Sequence, residues 1–223
     1  SYYRWNDTLS TFVDNSPREF GSFSVSMINW RTAFSKDNDN FVSEIFQDLL
    51  ANRTIISERL GRAQGQTAAP EGLPLDSVYW TGFGASSQDV VIPAFLSAYT
   101  GESPDKVGLD PFKLLPLPNW DLTYDGLTKL EVFRKLFRTF TVSHSYRSTF
   151  NIGNFQTNMF YVPGANELDA SGNYIPERQI TSVTVVEVMR PFINFDATLN
   201  NSLIAKLEYN RDRNLALSLS NYQ

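Results

Sequence analysis

Residues 139 to 152, TFTVSHSYRSTFNI, alternate in character over their whole length. Every odd position is polar: Thr139, Thr141, Ser143, Ser145, Arg147, Thr149 and Asn151. Of the even positions, Phe140, Val142, Tyr146, Phe150 and Ile152 are apolar or aromatic, and His144 and Ser148 are the exceptions. A period of two is the mark of a β-strand, whose successive side chains point to opposite faces. So long a strand, greasy on one side and rich in small hydroxyls on the other, is the period-two signal at its clearest.

The pattern recurs at both ends of the chain. In GSFSVSM, residues 21 to 27, Phe23, Val25 and Met27 oppose Ser22, Ser24 and Ser26, and the alternation blurs through INWRTAF. QITSVTVVEVM reads as a further strand with less distinct faces. Residues 193 to 200 and 203 to 210 alternate again, as does LALSLSNY, with Asn200-Asn201-Ser202 and Asn210-Arg211-Asp212-Arg213 expected as short turns between antiparallel neighbours. VPGANELDASGNYIPE reads as a loop.

The middle changes period. Phe41, Ile45 and Leu49, flanked by Val42, Phe46 and Leu50, predict a helix capped at Asp39 or Asn40 and stopped at Gly61. Residues 62 to 86 read as a loop, Ser87 as the cap of a second helix ending at Gly101 with Pro93 near its start, and GLTKLEVFRKLF as a third short helix with Lys129, Arg134 and Lys135 on its basic side. A basic amphipathic helix can lie on a membrane surface or simply present a solvated face. Three parts are expected: a loop and strand over 1–34, a helix- and loop-rich insertion over 35–137, and antiparallel strands over 138–223.

Catalytic constellations are weak. His144 is the single histidine, and in a strand it points away from Ser143 and Ser145, which removes the nucleophile and base pairing the trio suggests. DNDNFVSE lacks the central Gly and the closing Glu of a calcium loop, and GFGASS lacks the Gly-Lys-Ser/Thr of a phosphate loop. Asp121, Asp125 and Glu131 near Trp120 are explained by a turn and a helix start as well as by a glycosidase pair. One histidine and no cysteine leave no transition-metal set. The expectation is a non-enzymatic protein without cofactor.

A net charge of −5 with no basic stripe argues against nucleic acid as a partner. No window approaches the roughly 20 apolar residues of a membrane helix, but membrane β-strands need only about 9 to 11 alternating residues. The opening SYYRWNDTLS has neither a starting Met nor a signal-peptide pattern, as expected of a mature or internal piece. Alternation alone leaves two surfaces open: a soluble sandwich with its apolar face buried, such as a surface adhesin or glycan-binding module, or a membrane barrel with that face toward lipid and the polar face toward a wet lumen.

LPLPNWDLTYDGLTKLEVFRKLFRTFTVSHSYRSTFNIGNF, residues 115 to 155, resembles a characteristic stretch of the SprA/Sov family. GSFSVSMINWRTAF, SSQDVVIPAFLSAYTG and INFDATLNNSLIAKLEYNRDRNLALSLSNYQ extend the resemblance in the family's order over nearly the whole chain. Glu131 stands where the family's short helix is expected to carry Pro, and family members are far longer. The resemblance therefore implies a late segment of a large antiparallel transmembrane β-barrel with a helix-containing insertion. That barrel is the outer-membrane translocon of the bacterial type IX secretion system, which passes folded cargo to the cell surface and is linked to gliding motility. The implied partners are the rest of the translocon barrel, a PorV-type shuttle barrel, a periplasmic plug protein, cargo bearing a C-terminal secretion signal, and outer-membrane lipid. On this reading Thr139, Thr141, Ser143, Ser145, Arg147, Thr149 and Asn151 face the lumen, and Phe140, Val142, Tyr146, Phe150 and Ile152 face lipid.

Overall fold

The computed structural model describes residues 3–14, 19–29, 44–67 and 78–219. The chain is mainly β, with antiparallel sheets and helices packed on one of them. A small hairpin of β1 (Tyr3–Asn6) and β2 (Thr11–Asp14) comes first. The larger sheet has the order β3 (Phe20–Ser26), β5 (Phe137–Thr157), β6 (Arg178–Leu199), β7 (Ile204–Ser218). A short strand, β4 (Trp120–Tyr124), pairs with β5 further along the edge that β3 also uses. Thus β3 covers Thr149 to Gln156 of that edge and β4 covers Val142 to Tyr146.

The exchange from β3 to β4 is secured by hydrogen bonds. Met27 N–H donates to the Ser148 carbonyl, Leu117 N–H to the Ser26 carbonyl, and Ser148 N–H to Asn119 Oδ1 at 3.0 Å. Asn119 thereby fills the gap in the ladder between the two strands, where an unpaired buried amide would be costly.

The expected turn at Asn200-Asn201-Ser202 is present, with Ser202 in the left-handed region (φ 68°). The expected turn at Asn210-Arg211-Asp212-Arg213 is not: β7 runs straight through these residues, paired with β6 on either side. The charges there are satisfied across the sheet. Arg213 Nε lies 3.8 Å from Glu187 Oε2, and Arg190 forms an ion pair with Asp212. Likewise QITSVTVVEVM and residues 193 to 199 form one strand, β6, despite Pro191. From Ser143 to Arg147 β5 takes four steps while β6 takes six from Asn194 to Val188, so β6 carries two extra residues here, and Pro191, with a cis bond from Arg190, sits among them. A bulge is where a strand tolerates a residue with no N–H.

Two helices lie on the sheet. α1 (Glu44–Ala63) continues past Gly61, which is not its stop but a contact: a Cβ there would come within 2.3 Å of the Trp80 ring. Its expected caps, Asp39 and Asn40, and the DNDNFVSE segment up to Ser43 lie outside the described residues. α2 (Gln88–Thr100) begins after Ser87, whose side chain makes no capping bond, accommodates Pro93, and ends at Gly101 (φ 77°). The third expected helix is broken. Gly126–Lys129 is a 3-10 turn, α3 is only Glu131–Leu136, and Phe137 already belongs to β5.

The core lies between these helices and one end of the sheet. Ile56 of α1 and Val90, Ile92, Phe95 and Leu96 of α2 pack with Val25, Phe150, Ile152, Ile180, Val183 and Val185. Register irregularities at Gly153–Asn154 of β5 and Thr181–Ser182 of β6 shift both strands together, which keeps Phe155 and Ile180 toward this core.

Candidate functional site: a two-faced wall with a bare belt

β5 pairs with β4 from Val142 to Tyr146 and with β3 from Thr149 to Ile152 with no bulge in either stretch, so its two faces keep their alternation. Thr139, Thr141, Ser143, Ser145, Arg147, Thr149 and Asn151 share one face, and Phe140, Val142, Tyr146, Phe150 and Ile152 share the other. The neighbouring strands continue both faces. Opposite Val142 stand Tyr124 on β4 and Phe195 on β6, and opposite Phe195 stands Leu207 on β7. On the polar side Thr123, Ser143 and Asn194 lie in one row.

The apolar face has two zones. From Tyr146 onward it is covered by the helices and loops of the chain itself: Tyr146, Phe150 and Ile152 are each 0 % exposed. The expectation that these three face lipid is therefore corrected, because α1, α2 and the segment around Asn29 lie over them. Before Tyr146 no residue of the apolar face joins the core under the helices, and only the small Ala197, opposite Phe140, is buried there. Leu122, Tyr124, Leu207 and Tyr209 are 56 to 64 % exposed, and Phe140, Val142, Ile193 and Phe195 are half-buried. At about 3.4 Å per residue the 21-residue β5 is roughly 70 Å long, about twice what a tilted membrane strand of 9 to 11 residues requires. The bare zone occupies approximately one such span.

Aromatic groups mark both limits of the bare zone. At the covered end Trp120 stacks on Tyr146 with ring centres 4.6 Å apart, His144 lies edge-on to Phe192 at 5.8 Å, and Phe192 lies edge-on to Tyr209 at 5.7 Å. At the other end Phe133, Phe137 and Phe140 form a cluster with centres 5.0 to 6.1 Å apart. His144 belongs to the first group and not to a catalytic relay. Its Nδ1 lies 2.5 Å from the Phe192 carbonyl oxygen, an acceptor only, so the proton resides on Nδ1. Ser143 and Ser145 point to the opposite face.

The polar face is bound together by neutral groups. Ser24 Oγ donates to Asn151 Oδ1 at 2.8 Å, and Asn151 Nδ2 reaches Thr184 Oγ1 at 3.5 Å, a row crossing three strands. Where charges occur they include opposite signs side by side, as in Lys206 and Glu208, 3.6 Å apart.

Beneath the covered zone lies a polar knot that the strand pattern of β5 alone did not reveal. Glu187 is 2 % exposed. Its Oε1 accepts from the Tyr146 hydroxyl at 2.9 Å, and Arg213 faces its other oxygen. The Tyr146 hydroxyl in turn accepts the Asn29 N–H at 2.9 Å, and Asn29 Nδ2 donates to Ser148 Oγ at 2.8 Å. The sequence signal was available: Glu187 stands in phase with Val183 and Val185, a charge on a core face. Asp121 and Asp125 remain exposed near β4, and Glu131 lies 3.9 Å from Arg134. Among the described residues no three His, Asp or Glu side chains converge as metal ligands, and no helix is long and apolar enough to cross a membrane. A scan of known protein families and a search of curated proteins both return no match to this chain.

Proposed function

We propose that this chain is a wall segment of a protein-conducting outer-membrane β-barrel, the translocon of the type IX secretion system. The translocon assignment rests on the sequence resemblance over residues 115 to 155 and its supporting segments. What supports a membrane wall is one observation: the apolar face passes from covered to bare at an aromatic boundary halfway along the strands, while the opposite face is polar along β5, with Val186 and Val188 of β6 and Ile204 of β7 as apolar exceptions beside it. A soluble sandwich buries its apolar face along its whole length. A barrel whose strands outrun the bilayer has to cover that face only where it leaves lipid.

On this reading Phe140 and Val142, with Tyr124, Phe195, Leu207 and Tyr209, meet lipid, and the hydroxyl and amide row lines the conduit. A wall rich in Ser, Thr and Asn, on which Arg147, Asp196, Lys206 and Glu208 place both signs of charge, offers hydrogen bonds without a field of one sign, which suits passage of folded cargo. The open edges of β3, β4 and β7 pair with further strands of the barrel, since unpaired ladder groups in hydrocarbon cost several kcal/mol each. The helices brace the wall beyond the bilayer, where a shuttle barrel, a plug protein or cargo can dock.

Single cysteines in a cysteine-free full-length protein, inserted in cells, test the wall. Thr141→Cys and Ser143→Cys should react with a water-soluble maleimide, and Phe140→Cys and Val142→Cys only with a lipid-soluble one. Equal reaction of all four with the water-soluble reagent would return the chain to the soluble class. Bulky adducts at Thr141 and Ser143 should slow release of cargo bearing C-terminal signals; unaltered release sinks the conduit role. Deleting residues 38 to 110 without effect on secretion or partner binding would exclude a bracing or docking role for the helices.

A further inference from the structure

The turn that carries the chain from β4 into β5 has an unusual composition for so acidic a protein. Within residues 125 to 138 it holds Lys129, Arg134, Lys135 and Arg138 against Asp125 and Glu131, a balance of +2 in a chain of net charge −5. All four cationic side chains are exposed. So are the apolar residues set between them: Leu130 is 55 %, Val132 72 % and Leu136 58 % exposed. Across the β6–β7 turn Leu203 and Ile204 are 60 and 72 % exposed as well.

These two turns are held at one level. Asn200 N–H donates to the Leu136 carbonyl, and Asn200 Nδ2 donates to the carbonyls of Arg134 and Lys135 at 3.2 and 2.9 Å. That bridging fixes α3 beside the β6–β7 turn, next to the Phe133, Phe137 and Phe140 cluster that ends the bare belt. Among the described residues the one ion pair on these four cations is Arg134 to Glu131, long at 3.9 Å and between side chains 69 and 81 % exposed, too weak to cancel their field.

We propose that this rim is a docking surface for anionic phospholipid headgroups, with Leu130, Val132 and Leu136 entering the acyl region and Lys129, Arg134, Lys135 and Arg138 meeting phosphate. The inference rests on the membrane-wall reading above. Exposed apolar groups and cations interleaved at the edge of an apolar belt match an interface that is greasy on one side and negative on the other. Lysine and arginine stems lie along apolar surface while their heads reach the phosphate plane.

The test uses the full-length protein in nanodiscs of mixed phosphatidylglycerol and phosphatidylcholine, with retained lipid read by native mass spectrometry. The wild type should retain phosphatidylglycerol preferentially. The triple variant Lys129→Gln, Arg134→Gln, Lys135→Gln should lose about a hundredfold of that preference, given roughly fivefold per cation near an anionic surface. The charge-preserving Lys129→Arg, Arg134→Lys, Lys135→Arg should keep it, which separates charge from misfolding. An unchanged preference in the glutamine variant overturns the proposal, as does full competition by inorganic phosphate, which would mark an anion site instead of a lipid surface. Failure of every variant and the wild type to enter nanodiscs of any composition would overturn the membrane-wall reading and this inference with it. Entry without lipid preference would overturn this inference alone.

Discussion

The Tyr146 hydroxyl donates to Glu187 Oε1 at 2.9 Å inside the sheet, joining β5 to β6 on the face that the helices cover. The same hydroxyl accepts the Asn29 N–H, so the pair also holds the segment that leaves β3. A carboxylate in so little solvent is tolerated because its two oxygens meet a hydroxyl and a guanidinium.

Glu187→Ala should destabilise the assembled protein by about 3 to 5 kcal/mol, because Arg213 and the Tyr146 hydroxyl lose their common acceptor in a buried site. Tyr146→Phe removes one hydrogen bond from each neighbour and should cost about 1 to 3 kcal/mol. In the double variant the two costs should fall short of additive, since both remove the same bond. Denaturant unfolding of the four proteins measures this directly, and strict additivity would show that the two groups do not interact.

Gly61→Ala reverses a familiar sign. In an ordinary helix interior the change stabilises by roughly 1 kcal/mol. Here the added Cβ would meet three carbons of Trp80 at 2.3 to 2.8 Å. Neither Trp80, 7 % exposed, nor the helix can move freely, so a loss of about 1 to 3 kcal/mol is expected in thermal or denaturant melts. Trp80→Ala in the same background should restore part of the helix gain.

What could be read from the chain depended on how far each signal was local. The faces of β5 were legible because alternation is a property of consecutive residues. So was α2, where Gly101 ends an apolar run. The role of Gly61 was not, because a glycine that stops a helix and one that admits a tryptophan ring are identical in sequence. The charged run at 210 to 213 imitated a turn, and only the strand beside it, with Glu187 and Arg190, shows that its charges have partners. Coverage of Phe150 and Ile152 was illegible for a similar reason. Period two states that a face is apolar, not whether lipid or a helix lies over it.

Asp89 in the first turn of α2 should make stability pH-dependent in a defined sense. Burial pushes its carboxyl above the ordinary aspartate value, and the charge of nearby Asp110 adds to the rise, outweighing the hydrogen bond from Gln88. The folded state therefore holds this proton to higher pH than the unfolded state does. Its contribution favours folding below the unfolded pKa and turns into a cost as pH rises through the folded one. Asp89→Asn should raise the melting temperature at pH 7 to 8 and leave it nearly unchanged near pH 3. Equal shifts at both pH values would show that the effect is one of packing.

Adjacent residues on β5 should respond oppositely to the same new charge. Val142 lies on the bare apolar face in a row with Tyr124, Phe195 and Leu207, whereas Thr141 lies on the polar face opposite Asp196. If the bare belt meets hydrocarbon, Val142→Arg places a guanidinium there, at a cost of about 2 to 4 kcal/mol near the bilayer midplane. Thr141→Arg places it in water beside a carboxylate and should be near neutral. Heat-modifiable migration and urea unfolding of the full-length protein in lipid vesicles read the difference. Tolerance of arginine at both positions would mean that water, not lipid, bounds this face, and the same pair in detergent micelles should show the same order with a smaller gap.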